Sequence, residues 1–369
     1  MSSLSPLDIP DVWKPGLDAL RALPEGGTAL LIGATDRGKT TFTTLAARVL
    51  ASEIEGRIAL VDTDIGQSEI GPPGTVGAAW ATPDTLKLHD LTPQVTFFVG
   101  GFAPNAVALE LVTATSQAVR WARRQKAARL LVDTTGFVAG PAARRLKVAK
   151  AQITAPNLIL GLGRDGELDT LLAALGAATG ASVLPLGIPD AVGRKSQSLR
   201  ATRRLTRLSR ALEGSREISL PLEGAVTVGA TLGSGTPLDP ALVRWAGNAL
   251  RLPAVYGELS EGVLSLFLNG PTPRTDWEAG AGPVAAHFGV RTVRAISLAH
   301  YADTLLGLHD AGGKLLSIGR FVRLDPERGE MVVAAPSPTS AERVRLLAFG
   351  RIRVGEDGSP AGDIKPGEL

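Results

Sequence analysis

Hydrophobic positions in the first part of the chain come as short continuous runs at 29–32, 58–61, 95–99, 130–132, 158–160 and 183–186. Longer stretches with helical spacing separate them, at 40–51, 106–124, 141–152 and 168–178. Short apolar runs alternating with helices predict strands buried on both faces, hence an α/β domain with a parallel sheet between two helical layers. After Glu217 the helical spacing fades. Strand-like stretches take over at 225–232, 263–268, 293–298, 315–324, 331–335 and 344–354. In the fourth of these, Leu316, Ile318, Val322 and Leu324 fall on one face, as a half-buried strand requires. The pattern predicts a short N-terminal extension (1–27), an α/β domain (28–216) and a smaller β-rich C-terminal domain (217–369).

Composition narrows the chemistry. Hydrophobic residues are 44% of the 369 and charged ones 20%, enough apolar material for a large core. No apolar run approaches the roughly 18 residues of a membrane span, and the first ten residues lack a signal-peptide pattern. A cytoplasmic protein without a membrane partner is expected. There are no cysteines, and His89, His287, His300 and His309 lack ligand spacing, so a catalytic metal is expected to be held by oxygen. The net charge is only +3, yet basic residues gather at 120–129, 144–150 and above all 194–216. Such clusters suggest an anionic partner.

The first strand runs into Gly33-Ala34-Thr35-Asp36-Arg37-Gly38-Lys39-Thr40, and a helix follows at once. This is the G-x-x-x-x-G-K-T phosphate loop in its strand-to-helix setting, whose glycines let backbone N–H groups turn toward an anion. The fold is therefore expected to be that of P-loop NTPases. Lys39 would place a point charge at the β/γ-phosphates and Thr40 a hydroxyl on Mg²⁺. With Thr41 these residues form the nucleotide-binding stretch. The best-placed later strand lacks the Lys-x-Asp of guanine-specific switches, and no second lysine follows Gly33 as in partitioning ATPases.

Strand two ends in Asp62-Thr63-Asp64-Ile65-Gly66-Gln67. Carboxylates at the C-terminal edge of a parallel sheet face the crevice that holds the phosphate loop. Asp64 lies farther out than Asp62, placed to accept a proton from an attacking hydroxyl, to hold a metal-bound water, or both. Asp133 closes another apolar run and precedes Thr134-Thr135-Gly136-Phe137, the usual second metal-ligand position. Phe137 is open between two roles, a core ring and a ring on which a base stacks. Residues 196–212 predict an amphipathic helix. Arg200, Arg203, Arg204, Arg207 and Arg210 share one arc, opposite Leu205, Leu208 and Leu212. Clustered guanidinium groups beside a phosphate loop suit the stabilisation of a transferring phosphoryl group; alone they would be a solvated basic face.

Together these motifs resemble the polynucleotide 5′-hydroxyl kinase family, the RNA-end kinases associated in eukaryotes with pre-mRNA cleavage and ribosomal-RNA maturation. The resemblance rests on the phosphate loop, on Asp62-x-Asp64-x-Gly66-Gln67 with Pro73-Gly74-Thr75, and on Asp133-Thr134-Thr135-Gly136-Phe137-Val138-x-Gly140. It continues through the Arg200-x-x-x-Arg204 lid into 305–324 and 350–353. It implies ATP as phosphate donor, Mg²⁺ as cofactor and the 5′-hydroxyl end of RNA or DNA as acceptor. Lys39, Asp64, Arg200 and Arg204 would be catalytic, and Thr40, Asp64 and Asp133 would serve the metal. Gln67, Thr135 and Phe137 would meet the polynucleotide. Phe137 stands where family members often carry Trp, and fewer than 30 residues precede the first strand where larger members have an adenine-holding β-domain. The competing expectations are a non-catalytic ATP-binding scaffold of an RNA-processing assembly and a small-molecule kinase or GTPase.

Overall fold

The computed structural model describes residues 9–190, 192–193, 196–224, 226–271, 277–365 and 367–369. Arg194 and Ala225, which begin two of the stretches read above, lie outside the described residues, as do residues 1–8. The chain divides into two compact units, residues 1–207 and 208–369.

The first unit runs α1 (Lys14–Arg21), β1 (Gly27–Ile32), α2 (Lys39–Glu53), β2 (Ile58–Thr63), β3 (Thr75–Trp80), β4 (Val95–Phe98), α3 (Ala108–Arg124), β5 (Arg129–Thr134), α4 (Gly140–Thr154), β6 (Leu158–Leu162), α5 (Asp169–Thr179), β7 (Ser182–Leu186) and α6 (Gln197–Leu212). The sheet order is β4-β3-β2-β5-β1-β6-β7. From β2 to β7 every pairing is parallel. The run at 95–99 is a strand, but an edge one: β4 pairs antiparallel with β3, which pairs antiparallel with β2. β3 itself escaped the hydrophobic pattern because its small residues carry little β signal.

Successive side chains of each strand point to opposite faces, and both faces are covered. Leu30, Ile32, Val61, Val132 and Ile159 pack with Leu111, Ala118, Leu146 and Leu172 from α3, α4 and α5. Ala29, Leu31, Leu60, Leu131 and Leu160 pack with Leu17 and Leu20 of α1 and with Phe42, Ala46 and Leu50 of α2. The N-terminal segment is thus part of this core. Strand order reverses beside β1, since the chain goes first toward β2 and later toward β6. That reversal opens a crevice at the C-terminal strand edge, where ligands of such sheets bind.

The second unit contains β8 (Ser215–Pro221), β9 (Val226–Val228), β10 (Thr236–Pro237), α7 (Pro240–Leu250), β11 (Ala254–Ser260), β12 (Val263–Leu268), α8 (Ala281–Phe288), β13 (Thr292–Ser297), β14 (Thr304–His309), β15 (Leu315–Asp325), β16 (Glu330–Pro336), β17 (Leu346–Val354) and β18 (Pro360–Asp363). One sheet has the order β18-β17-β14-β15-β16-β8 with β9 beside β17; a smaller one has the order β10-β11-β12-β13. The expected fading of helices after Glu217 is corrected by α7 and α8, which pack on the smaller sheet through Ala246, Leu250 and Val284. A start signal for α7 was legible: the Asp239 carboxylate accepts the Ala241 N–H at 2.7 Å, and Pro240 opens the helix. In β15 the even-numbered alternation breaks at an irregularity between Phe321 and Arg323, so Phe321, not Val322, joins Leu324 in the core. The units part inside α6. Its last turns belong to the second unit, where a Cβ on Gly358 would lie 2.6 Å from the Ser209 nitrogen.

Candidate active site

The loop between β1 and α2 forms the floor of a cleft of about 430 Å³. Its shape is set by backbone: Asp36 and Gly38 both take positive φ, 59° and 78°, and Gly38 stands immediately before the first residue of α2. A side chain at Gly38 would be strained, whereas glycine adopts this conformation freely. The result turns the N-terminus of α2 toward the cleft, where its unpaired N–H groups and dipole favour an anion. The Lys39 ammonium reaches back across the loop and donates to the Ala34 carbonyl at 2.9 Å. Gly136, after β5, closes on the loop from the side; a Cβ there would sit 2.2 Å from Thr35 Oγ1, so no other residue permits this approach.

The three acids are sorted by their surroundings. Asp62, at the end of β2, is buried and accepts N–H groups from Asp64, Glu69 and Ile70. It folds the loop that follows. Burial, together with Asp133 and Asp64, pushes its carboxyl up to about 8. Asp64 lines the cleft beside Lys39 and Thr40 and accepts N–H groups from Gly66 and Gln67, both at 3.2 Å. Asp133 is 3% exposed, and its Oδ2 accepts the Thr40 hydroxyl at 3.0 Å. Its Oδ1 is buried and has no hydrogen-bond partner among the described residues. Burial, opposed by Lys39, raises its carboxyl to about 6. A buried carboxylate oxygen without a donor, beside a threonine hydroxyl and a phosphate loop, fits a hard cation. No group of three His, Cys, Asp or Glu side chains could cage a metal among the described residues. A cation here would therefore rest on Thr40 and Asp133, with Asp64 lining the same cleft, and on phosphate oxygens.

Helix α6 brings its arginines to this rim in different ways. Arg200 lines the cleft, and its Nη1 donates to Asp36 of the phosphate loop at 2.7 Å. Gln67 ties the helix down, its amide donating to the Arg200 carbonyl at 3.2 Å. Arg207 holds the loop after Asp64 by donating to the Gln67 and Ser68 carbonyls and to the Glu69 carboxylate. Arg204 does not line the cleft; its guanidinium lies over the Phe102 ring, 5.1 Å from the centroid.

Residues 33–214 match the family described as the P-loop of the mRNA cleavage and polyadenylation factor CLP1. The polyribonucleotide 5′-hydroxyl-kinase of Pyrococcus horikoshii is 28% identical over 96% of this chain and 93% of its own length. That of Thermococcus kodakarensis is 27% identical over 98% of both chains. Residues 33–214 carry the CLP1 P-loop, and nearly the whole chain is similar to the archaeal polyribonucleotide 5′-hydroxyl-kinases. The fold agrees with a solved Clp1p–Pcf11p complex, at a TM-score of 0.57 and 12% identity over 92% of this chain and 77% of that one.

Some expected site residues converge and others do not. The whole stretch from Thr35 to Thr41, with Asp64, Gln67 and Arg200, lines one cleft. Arg37 turns its guanidinium to Glu167 in a two-pronged pair at 2.8 Å and 3.1 Å. Thr135 is buried and accepts from the Lys147 ammonium through its carbonyl, at 2.6 Å. Phe137 is half-buried and packs on the core under α3, α4 and α5. Neither Thr135 nor Phe137 lines the cleft.

The sequence reading missed Trp13, which lines the cleft with Pro10, packs edge-on to Phe42 at 5.5 Å and donates to the Gly187 carbonyl. Its signal was the spacing of Trp13, Leu17 and Leu20 along one helical face. Lys147 and Lys150 belong to the basic cluster at 144–150 that suggests an anionic partner, yet both are buried.

Proposed function

We propose that this protein is an Mg²⁺-dependent kinase that transfers the γ-phosphate of ATP to the 5′-hydroxyl end of RNA or DNA. One observation carries this reading: Lys39, Thr40, Asp64 and Arg200 line one cleft around a complete phosphate loop. The apolar residues that line the cleft, Pro10, Trp13, Leu45, Pro189 and Val192, take the nucleotide base. Loop N–H groups and Lys39 hold the β- and γ-phosphates. Thr40 and Asp133 supply oxygens for Mg²⁺, which when bound neutralises charge on the phosphate oxygens. Asp64 accepts the proton of the 5′-hydroxyl as its oxygen attacks phosphorus and the bond to ADP breaks. Arg200, drawn to the loop by Asp36, supplies a guanidinium for the charge on the transferring group.

Incubation with γ-labelled ATP, Mg²⁺ and a 5′-hydroxyl oligoribonucleotide should label the 5′ end. ATP binding with no labelled product on RNA or DNA would instead make the protein a scaffold. Matched RNA and DNA oligonucleotides in the same assay give the preference between acceptors.

A further inference from the structure

Two lysines of α4, Lys147 and Lys150, are fully buried, with 0% of either residue exposed. Neither makes an ion pair with a carboxylate among the described residues. Their Nζ groups are spent on threonines at the ends of the strands that carry the site. Lys147 donates to Thr134 Oγ1 at 2.8 Å and to the Thr135 carbonyl at 2.6 Å, immediately after Asp133. Lys150 donates to Thr63 Oγ1 at 2.8 Å, immediately before Asp64.

Each threonine passes the bond on. The Thr63 hydroxyl donates to the Asp133 carbonyl at 2.8 Å, joining β2 to β5. The Thr134 hydroxyl donates to the Leu31 carbonyl at 2.6 Å, joining β5 to β1 two residues before Gly33. A hydroxyl that gives its single proton to a carbonyl can take a lysine proton only as acceptor, so these bonds have one direction. Burying two polar lysine heads against neutral groups is costly whatever their charge, and an apolar side chain of similar length would pack the same space.

We infer that Lys147 and Lys150 are positioning residues for phosphoryl transfer, fixing through Thr63 and Thr134 the spacing of Asp64, Asp133 and the phosphate loop. The inference rests on the proposed roles of those acids. Three strands end at this point, and Thr63 and Thr134 are the last register partners of β2 and β5. The lysine–threonine lattice braces that last rung, beyond which the chain leaves the sheet. Transfer is sensitive to such spacing, since a displacement of about 1 Å at a reacting group lowers turnover by about 100-fold.

The test pairs Thr63→Val, which keeps shape and removes the hydroxyl, with Thr63→Ser, which keeps the hydroxyl. Lys150→Met is measured beside them. Wild-type end-labelling is established first, so that failure of the kinase reading is seen separately. The expected result is a fall in kcat of about 100-fold in Thr63→Val and Lys150→Met. KM for ATP and for the oligonucleotide should stay within about threefold, and Thr63→Ser should recover most of the turnover. Wild-type kcat in Thr63→Val overturns the inference, as does equal loss in the valine and serine variants. So does a loss in which both KM values rise with a lowered Tm, the mark of general loosening. Should Lys150→Met fail to fold, the two Thr63 variants decide alone.

Discussion

At the scale of single residues, environment has separated three carboxylates that the sequence presents alike. Asp62 is consumed by backbone N–H groups, Asp133 keeps one buried oxygen without a donor, and Asp64 faces the cleft. Asp64→Asn should lower kcat by about 10² to 10⁴, the range for loss of a general base, while ATP binding persists; single-turnover labelling with a nucleotide-binding control checks this. Retention of wild-type kcat would remove Asp64 from the proton-accepting role.

Asp133 makes the pH dependence specific. Burial raises its carboxyl to about 6, and in the proposed role it would hold a cation only when ionised. The apparent Mg²⁺ affinity should therefore fall as pH drops through about 6, roughly tenfold per unit where one proton competes. Mg²⁺ titrations of the initial rate between pH 5 and 8 read this directly, and a flat profile contradicts it. For stability of the metal-free chain the sign is opposite. A raised acid keeps a proton in the folded state that the unfolded chain has lost, so its contribution declines as pH rises from 3.8 to about 6.

At the scale of elements, α6 and the loop after β2 form one device. Gln67 and Arg207 bolt the helix to the loop that carries Asp64, and Arg200 spans from the helix to Asp36 of the phosphate loop. Arg200→Ala should reduce kcat by about 10³, as loss of a phosphoryl-clamping arginine does, with a smaller effect on ATP affinity. Arg207→Ala should act more weakly and raise the oligonucleotide KM as well, because it frees the loop without removing a clamping charge. Steady-state kinetics of the two variants separate these outcomes; identical profiles would mean that the helix acts as a unit. The N-terminal segment belongs at this scale too. Replacing Trp13 by Leu should raise KM for ATP by about tenfold and leave kcat within about twofold. A Trp13→Leu enzyme with unaltered KM would remove the indole from the base site.

At the scale of the whole molecule, a nearly neutral chain keeps its basic residues clustered, so attraction for a polyanion is local to those clusters. The KM for a 5′-hydroxyl oligonucleotide should rise with salt, with a log–log slope of about 0.7 per phosphate contact for single strands. A slope near zero would favour a small-molecule acceptor. By itself the amino-acid sequence determined the phosphate loop, the layered α/β core and the acids at strand ends. Each depends on a few contiguous residues whose backbone geometry or alternation is dictated locally. Tertiary structure alone decided which way the intervening side chains turn. Thr135 and Phe137 follow Asp133 in a motif that reads as substrate-facing, yet one accepts from a buried lysine and the other packs into the core. Lys147 and Lys150 read as part of a basic cluster suited to an anionic partner, yet their side chains run inward from α4 to threonines at the ends of β5 and β2. Local pattern fixes what an element is; which of its faces meets water depends on neighbours far away in the chain, and no spacing rule encodes them.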